Sequence, residues 1–248
     1  MKIETIEQQK REDGFTLVEL AIVMIIIGLL IGGILKGQEL IANSQTTATI
    51  AQVKGIDAAV STFRDKYSAL PGDMTNGGTR LQNCSAVPCN VNGNQDGRIL
   101  GGAEPGDTTD QTSESVRVFA HLAAADLLSG IDANYNDTPA LGIGLPEAKV
   151  GGGFVQIAYS ADGDLHAAED ARVGHYLVLH ARAGVNATQA TANLAPARAG
   201  QIDRKLDDGN ADTGSVRATT ANPCSDANGT YNEGRNDGRC AMYFRVQG

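Results

Sequence analysis

The sequence predicts an α+β fold in which one long helix comes first and a head of short helices and strands follows. Residues 15–68 begin with an apolar stretch that continues directly into an amphipathic pattern. Residues 71–112 are rich in Gly, Asn and Asp, and the later chain contains both strand-like and helix-like segments. At 248 residues, the chain has room for one large domain or two small ones.

The composition argues against nucleic acid as a partner. The formal net charge is −9, and no run dense in Lys and Arg appears beyond the first residues. Because binding to phosphates depends on clustered positive charge, we expect no nucleic acid partner.

The apolar stretch at residues 15–35 is long enough to cross a membrane, since this many helical residues rise about 31 Å. Its only polar side chains are Thr16 and Glu19. Basic residues precede it, so the positive-inside rule places residues 1–14 in the cytoplasm and the bulk of the chain outside.

Two ordinary interpretations of this stretch meet difficulties. A secretory signal peptide needs a small-residue cleavage site after the apolar run, and the segment KGQELIANSQ that follows is a poor match. A simple single-span anchor leaves Glu19 unexplained, because an ionisable residue inside a span is costly and usually functional.

The segment GFTLVEL at residues 14–20 resembles the processing site of the type IV pilin family, which includes the pseudopilins of type II secretion. The resemblance implies that a prepilin peptidase cuts between Gly14 and Phe15 and methylates the new amino terminus of Phe15. It also implies that Glu19 faces this amino terminus on a neighbouring subunit of a filament. Such a pair would favour one axial register, because removing one partner leaves the other charge uncompensated in an apolar setting.

This resemblance divides the chain into a leader peptide at residues 1–14, a transmembrane and assembly helix at 15–36, the amphipathic half of the same helix at 37–69, and a head at 70–248.

In the amphipathic half, ALPGD at 69–73 ends the helix, because proline lacks a donor and glycine permits a turn. Four glycines in the upper part of the helix allow close packing or weaken it: Gly28, Gly32, Gly33 and Gly37. Apolar side chains at spacings of three and four form one stripe: Val53, Ile56, Val60, Phe63 and Tyr67.

The predicted head begins with a long polar loop, after which helices and strands follow. By analogy with pilins, we expect the strands to form an antiparallel sheet that packs on the long helix. The predicted helices are residues 113–129 and 195–206, and the predicted strands are 153–160, 174–182 and 240–246.

The four cysteines form two local pairs, Cys84 with Cys89 and Cys224 with Cys240. An even count at short spacings, downstream of a membrane segment, predicts two disulfides in an oxidising compartment. The alternative is one zinc site made of all four, but neither pair has the two-residue spacing of a zinc knuckle, and no His lies beside them.

Two segments, NVNGNQDGRI and DDGNADTG, carry alternating oxygen-bearing side chains like those of calcium loops. In the first, Ala103 stands where such a loop has its bidentate Glu, and Glu104 comes one residue late. The alternative is an Asx-rich turn without metal. Secretion pseudopilins bind calcium in their heads, which favours the metal. The candidate ligands are Asn92, Asn94 and Asp96, or Asp208, Asn210 and Asp212.

We expect no enzymatic activity. The sequence has no P-loop, nucleophile-elbow serine or HExxH helix. The four histidines lack a partner motif, and we expect them at the surface: His121, His166, His175 and His180.

The sequence therefore predicts a structural subunit of a type IV pilus-like filament, made of copies of the chain or of mixed pilins. The precursor would lie in the inner membrane, and the assembled form in an extracellular pilus or periplasmic pseudopilus. Its partners would be prepilin peptidase and the pilus or secretion assembly machinery. One alternative is a minor or tip pilin, or a type II secretion pseudopilin, that acts in binding or protein export. Another is a membrane-anchored enzyme that shares only the anchor.

Overall fold

The structure is a computed structural model that describes residues 16–101, 113–135, 140–141, 143–150, 152–160, 172–180, 194–219, 224–235 and 240–246. The chain forms two compact units, Met1–Ser44 and Gln45–Gly248, which are described separately. Helix α1, Leu17–Tyr67, contributes residues to both units. The prediction of one continuous helix over residues 15–68 is thus confirmed for the described residues.

In the first unit, the described part of α1 exposes its apolar side chains. The large exposed aliphatic residues between Leu17 and Ile41 are 48–87% accessible. By length and composition, α1 is able to cross a membrane. A helix that exposes so much aliphatic surface is not stable in water by itself and requires lipid or other apolar helices around it.

In the second unit, the remaining turns of α1 bury one face. Val53, Ile56, Val60 and Phe63 are buried as the spacing predicted, and they belong to the same hydrophobic cluster as the strands of the head. Tyr67 is half-buried against this cluster. Each fully buried side chain of this size contributes about 1.5–3 kcal/mol.

Helix α1 ends where the sequence predicts. The amide of Ser68 still bonds to a helical carbonyl, at 2.8 Å, but Ser68 itself has a positive φ of 50°. Gly72 then has a φ of 89°, and a Cβ at this position would lie 2.4 Å from the carbonyl oxygen of Glu114. Only glycine fits this close approach, which brings the chain after α1 against the start of a later helix.

The head contains a four-stranded antiparallel sheet. Its strands are β3 (Phe154–Ser160), β4 (Gly174–His180), β5 (Val216–Ala218) and β6 (Met242–Arg245), in the order β3-β4-β6-β5. One row across the sheet pairs Ile157 with Leu177, Leu177 with Phe244, and Phe244 with Val216. All four side chains are buried in the core, so this face of the sheet provides much of its apolar surface.

The outer edge of β3 is covered by the polypeptide that surrounds it. The amide of Val155 donates to the carbonyl of Pro146 at 2.9 Å, and the amide of Tyr159 donates to the carbonyl of Ile99 at 3.0 Å. These bonds satisfy donors that the sheet itself leaves unpaired.

The outer edge of β5 is covered as well. The amide of Val216 donates to the Asp207 carboxylate at 3.1 Å, and the amide of Ala218 donates to the carbonyl of Ala211 at 3.0 Å. Strand β5 was not predicted, because three residues are too few to show a period in the sequence.

The remaining elements are short. Helix α3, Glu114–Ala124, is shorter than the predicted 113–129, because Asp126 takes a positive φ of 58° and the chain turns away. Helix α4, Pro196–Leu206, begins with proline as expected. Helix α2 (Gly77–Arg80) and the parallel pair β1 (Ala140–Leu141) and β2 (Gly144–Leu145) were not predicted.

Both disulfides expected from the cysteine spacing are present in the head. Cys84 bonds to Cys89, and Cys224 bonds to Cys240. All four sulfurs are therefore used in covalent pairs, and the alternative of one zinc site made of the four thiolates is wrong.

Candidate functional site

The first turn of α1 holds Glu19 in a capping box. Thr16 precedes the helix, and its amide and hydroxyl both donate to the Glu19 carboxylate, at 2.9 and 2.8 Å. In return, the amide of Glu19 lies 3.3 Å from the Thr16 hydroxyl oxygen. This motif was not predicted, although a Thr followed three residues later by Glu is its usual signature in a sequence. Glu19 thus has a local role in starting the helix, in addition to the role expected in assembly.

The predicted cleavage residues Gly14 and Phe15 lie outside the described residues. The glycines of the apolar segment are described: Gly28, Gly32, Gly33 and Gly37. A Cβ added at any of them would have no described atom within 4 Å, apart from its neighbours in the chain and the backbone of the helix itself. No packing within this unit therefore requires glycine at these positions. Close packing against other helices stays a prediction.

Three carboxylates from separate parts of the head meet at one place, which we call the carboxylate cluster: Asp73, Asp96 and Glu114. One oxygen of each lies within 4.8 Å of one oxygen of the other two. Asp73 follows the end of α1, Asp96 lies in the predicted polar loop, and Glu114 is the first residue of α3. Asp73 and Glu114 are buried, whereas Asp96 is exposed.

Backbone amides hold the carboxylate cluster in position. Glu114 accepts hydrogen bonds from the amides of Asn94 and Leu100, at 3.2 and 3.0 Å, and Asp73 Oδ2 accepts one from the amide of Gly97 at 3.0 Å. Asp73 Oδ1 is buried and has no hydrogen-bond partner among the described residues. Burial raises the pKa of Asp73 and of Glu114, and the hydrogen bonds from amides oppose that rise.

The first calcium-like segment lies beside this cluster, but only part of it points there. The side-chain nitrogen of Asn94 donates to Asp96 Oδ2 at 3.1 Å. Asp96 Oδ1 accepts a hydrogen bond from the backbone amide of Arg98 at 2.9 Å. Asn92 Oδ1 instead accepts the amide of Asn76 at 2.6 Å. Asp73 and Glu114 were not predicted as neighbours of this segment, because they are distant from it in the sequence.

The second calcium-like segment forms a series of Asx turns. Asp208 accepts the amide of Asn210 at 3.0 Å, and Asn210 accepts the amide of Asp212 at 2.9 Å. Asp208 also lies near the carboxylates of Asp203 and Asp207. Both oxygens of Asp203 have donors, since the Tyr231 hydroxyl lies at 2.9 Å and a backbone amide at 3.3 Å.

The expectation of surface histidines is wrong for His121 and His175, which are both buried. His121 Nδ1 accepts the amide of Gly72 at 2.9 Å, so its Nε2 carries the proton and donates to the carbonyl of Cys89 at 2.9 Å. Burial lowers the pKa of each of the two histidines to about 4. Both are therefore neutral structural groups near pH 7. The side chains of His166 and His180 are not among those described.

A long N-terminal helix followed by an antiparallel sheet domain is an α+β arrangement consistent with the pilin-like fold. Residues 9–35 match the family model of the prokaryotic N-terminal methylation motif, which is the type IV prepilin-like processing site. The apolar helix next to this site is consistent with membrane anchoring of a prepilin. The comparisons with curated proteins and with solved structures give no significant match.

Proposed function

We propose that this chain is a structural subunit of a type IV pilus-like filament, processed after Gly14 and polymerised through its apolar N-terminal helix. The observation that carries the proposal is the methylation motif at residues 9–35, which is continuous with a helix whose aliphatic side chains are exposed from Leu17 to Ile41. In a filament, copies of this helix would cover one another when they leave the bilayer. The head would then stand outside the cytoplasm.

Glu19 is the residue to which we assign subunit register. Its carboxylate is held by Thr16 at the first turn of the helix, one turn from the amino terminus that cleavage would create on Phe15. A carboxylate already fixed in direction loses little freedom when a cation docks against it. The proposed pair is therefore between Glu19 of one copy and the methylated amine of Phe15 on its neighbour.

The first experiment determines the mature amino terminus. The full chain is expressed in a bacterial inner membrane together with a prepilin peptidase, and the product is analysed by mass spectrometry. We expect a chain that begins at Phe15 and carries one added methyl group. Retention of Met1, or a cut after the apolar run, would contradict the proposal and favour a membrane-anchored protein of another class.

The second experiment separates the charge of Glu19 from its capping role. Glutamine also serves in a capping box, so Glu19→Gln keeps the cap and removes the charge, whereas Glu19→Ala removes both. We expect both variants to be processed normally and both to lose filaments, as seen by electron microscopy of sheared material. Filaments in Glu19→Gln at the wild-type level would show that the charge is not required.

The abundance of the chain in sheared filaments distinguishes the kinds of subunit. A major subunit would form most of the mass. A minor or tip subunit, or a pseudopilin that acts in protein export, would be present in a few copies or remain in the periplasm.

A further inference from the structure

Three asparagines of the head are followed directly by glycine. In such a pair, the backbone nitrogen of the glycine is able to attack the side-chain carbonyl carbon of the asparagine, because no Cβ on the glycine obstructs the approach. The attack forms a cyclic imide and converts the asparagine to an acidic residue. The three pairs are Asn76 with Gly77, Asn92 with Gly93, and Asn228 with Gly229.

Two of the three glycine nitrogens are held by hydrogen bonds. The amide of Gly93 donates to the carbonyl of Met74 at 3.1 Å, and the amide of Gly229 donates to the carbonyl of Asp226 at 3.1 Å. A nitrogen that donates a hydrogen bond keeps its proton and its position, so it must first lose this bond to act as a nucleophile.

The side chain of Asn92 is held as well. Its Oδ1 accepts a hydrogen bond from the amide of Asn76 at 2.6 Å. The carbonyl carbon that an attacking nitrogen would have to reach is thereby fixed in direction. The fold therefore protects Asn92 at both reacting groups and Asn228 at the glycine nitrogen.

The nitrogen of Gly77 is not held in this way. Gly77 is the first residue of α2, and the first amides of a helix have no partner within the helix. None of the described residues accepts a hydrogen bond from this amide. Asn76 is exposed, and its side chain makes no capping hydrogen bond to α2.

The backbone of Asn76 has little to lose by rotating into a reactive conformation. It is left-handed, with φ 58° and ψ 36°, which is an unfavourable region for a residue with a Cβ. The rotation about ψ breaks only the bonds that the carbonyl of Asn76 accepts from the amides of Thr79 and Arg80, both at 3.1 Å. A helix of four residues opens locally at much lower cost than the core of a domain.

We propose that Asn76 is a site of spontaneous deamidation in the folded head, through a cyclic imide formed with Gly77. The Gly77 nitrogen bonds to Cγ of Asn76 and gives up its proton, and Nδ2 leaves as ammonia. Water then opens either C–N bond of the imide, which yields aspartate or isoaspartate. The reaction needs water alone, without an enzyme, oxidant or reductant.

The product changes the head at one defined place. Either product adds one negative charge at the start of α2, three residues from the buried Asp73. Isoaspartate also adds one carbon atom to the main chain between the amide that bonds to Asn92 and the first turn of α2. Chains of increasing age would therefore become more acidic at this turn.

The test incubates the full chain in detergent at mildly alkaline pH and follows each asparagine by peptide mass spectrometry. After reduction of the disulfides, trypsin places the three pairs in separate peptides: Tyr67–Arg80, Leu81–Arg98 and Ala218–Arg235. The same chain unfolded in urea provides the reference rate of each pair. We expect folding to slow Asn92 and Asn228 at least about tenfold more than it slows Asn76.

The variant Asn76→Gln is the matched control, because the longer side chain forms a cyclic imide far more slowly. Its Tyr67–Arg80 peptide should stay unmodified, while the other two peptides behave as in the wild type. Near-UV circular dichroism verifies that both proteins are folded during the incubation.

Three results would overturn the proposal. One is equal slowing of all three pairs by folding. Another is a folded wild type that keeps Asn76 intact over the time in which the unfolded chain loses it. The third is a modified Asn76 peptide that contains no isoaspartate, since opening of the imide yields both products.

Discussion

His121 should make the stability of the head depend on pH. In the native state its pKa is about 4, compared with an ordinary value of 6.5, because burial disfavours the charged ring and the nearby Arg117 adds to this effect. Protonation would also place a proton on Nδ1, which accepts the amide of Gly72, and that hydrogen bond would be lost. The native state therefore binds fewer protons than the unfolded state between these two pKa values.

The sign and size of the effect follow from this difference. The contribution of neutral His121 is complete above pH 6.5 and is lost as the pH falls through this window toward 4. A difference of 2.5 pKa units corresponds to about 3 kcal/mol, or about 1.4 kcal/mol per pH unit within the window. Asp203 acts in the opposite direction, because burial raises its pKa to about 6 and its native state takes up a proton early as the pH falls.

The assay compares the wild type with His121→Gln by urea unfolding of the full chain in detergent, followed by near-UV circular dichroism between pH 7.5 and 4.5. Glutamine can accept from Gly72 and donate to Cys89 but does not titrate. We expect the variant to lose less stability on acidification than the wild type, by about 2–3 kcal/mol. Because Asp203 and His175 are unchanged, their contributions cancel in the comparison.

A control variant, Lys54→Gln, introduces the same amide side chain at an exposed position of α1, away from His121 in the sequence. It should leave the pH dependence of the free energy of unfolding unchanged. Parallel curves for the wild type and His121→Gln would refute the assignment of a neutral buried imidazole.

Three other predictions concern the stability of the head and use the same unfolding assay. Phe63→Ala should reduce the free energy of unfolding by about 3–5 kcal/mol, because the ring is fully buried; a loss below about 1 kcal/mol would contradict its place in the core. Gly93→Ala should lower the unfolding midpoint, since the new Cβ would lie 2.1 Å from the carbonyl oxygen of Asp73. The control Gly234→Ala adds a Cβ in open space and should leave the midpoint unchanged. Equal midpoints for the two variants would contradict the close approach of Gly93 to Asp73. Replacing Cys224 and Cys240 together by Ser should cost about 3 kcal/mol, as expected for a loop closed over a separation of 16, and an unchanged midpoint would contradict this.

The long helix was predictable because its signals are local. The apolar stripe from Val53 to Phe63 has the helical period, and the turn at Gly72 ends it, so neighbouring residues alone indicate both the element and the face that it buries. The disulfides were predictable for the same reason, since each pair is close in sequence. Strand β5 was not, because its position depends on pairing with β6 rather than on its own three residues.

The carboxylate cluster and the buried histidines show where local signals end. Asp73 and Glu114 are 41 positions apart, and nothing in either segment indicates the other. The expectation of a surface position failed for His121 because α3 is buried on nearly all sides, including its polar residues. The chain between α1 and α3 supplies hydrogen-bond partners to two of these polar side chains. Arg117 donates to the carbonyl of Gly72, and His121 bonds to the amide of Gly72 and the carbonyl of Cys89.

The covered edges of the sheet restrict how heads can associate. An exposed edge strand with free amides accepts a strand from another chain, which is a common route to unwanted aggregation. Here the described outward amides of Val155, Tyr159, Val216 and Ala218 are already bonded within the head. Extension of this sheet from one chain into the next would first require these bonds to break. These four hydrogen bonds therefore oppose the addition of a strand from a second head at the positions where they are made.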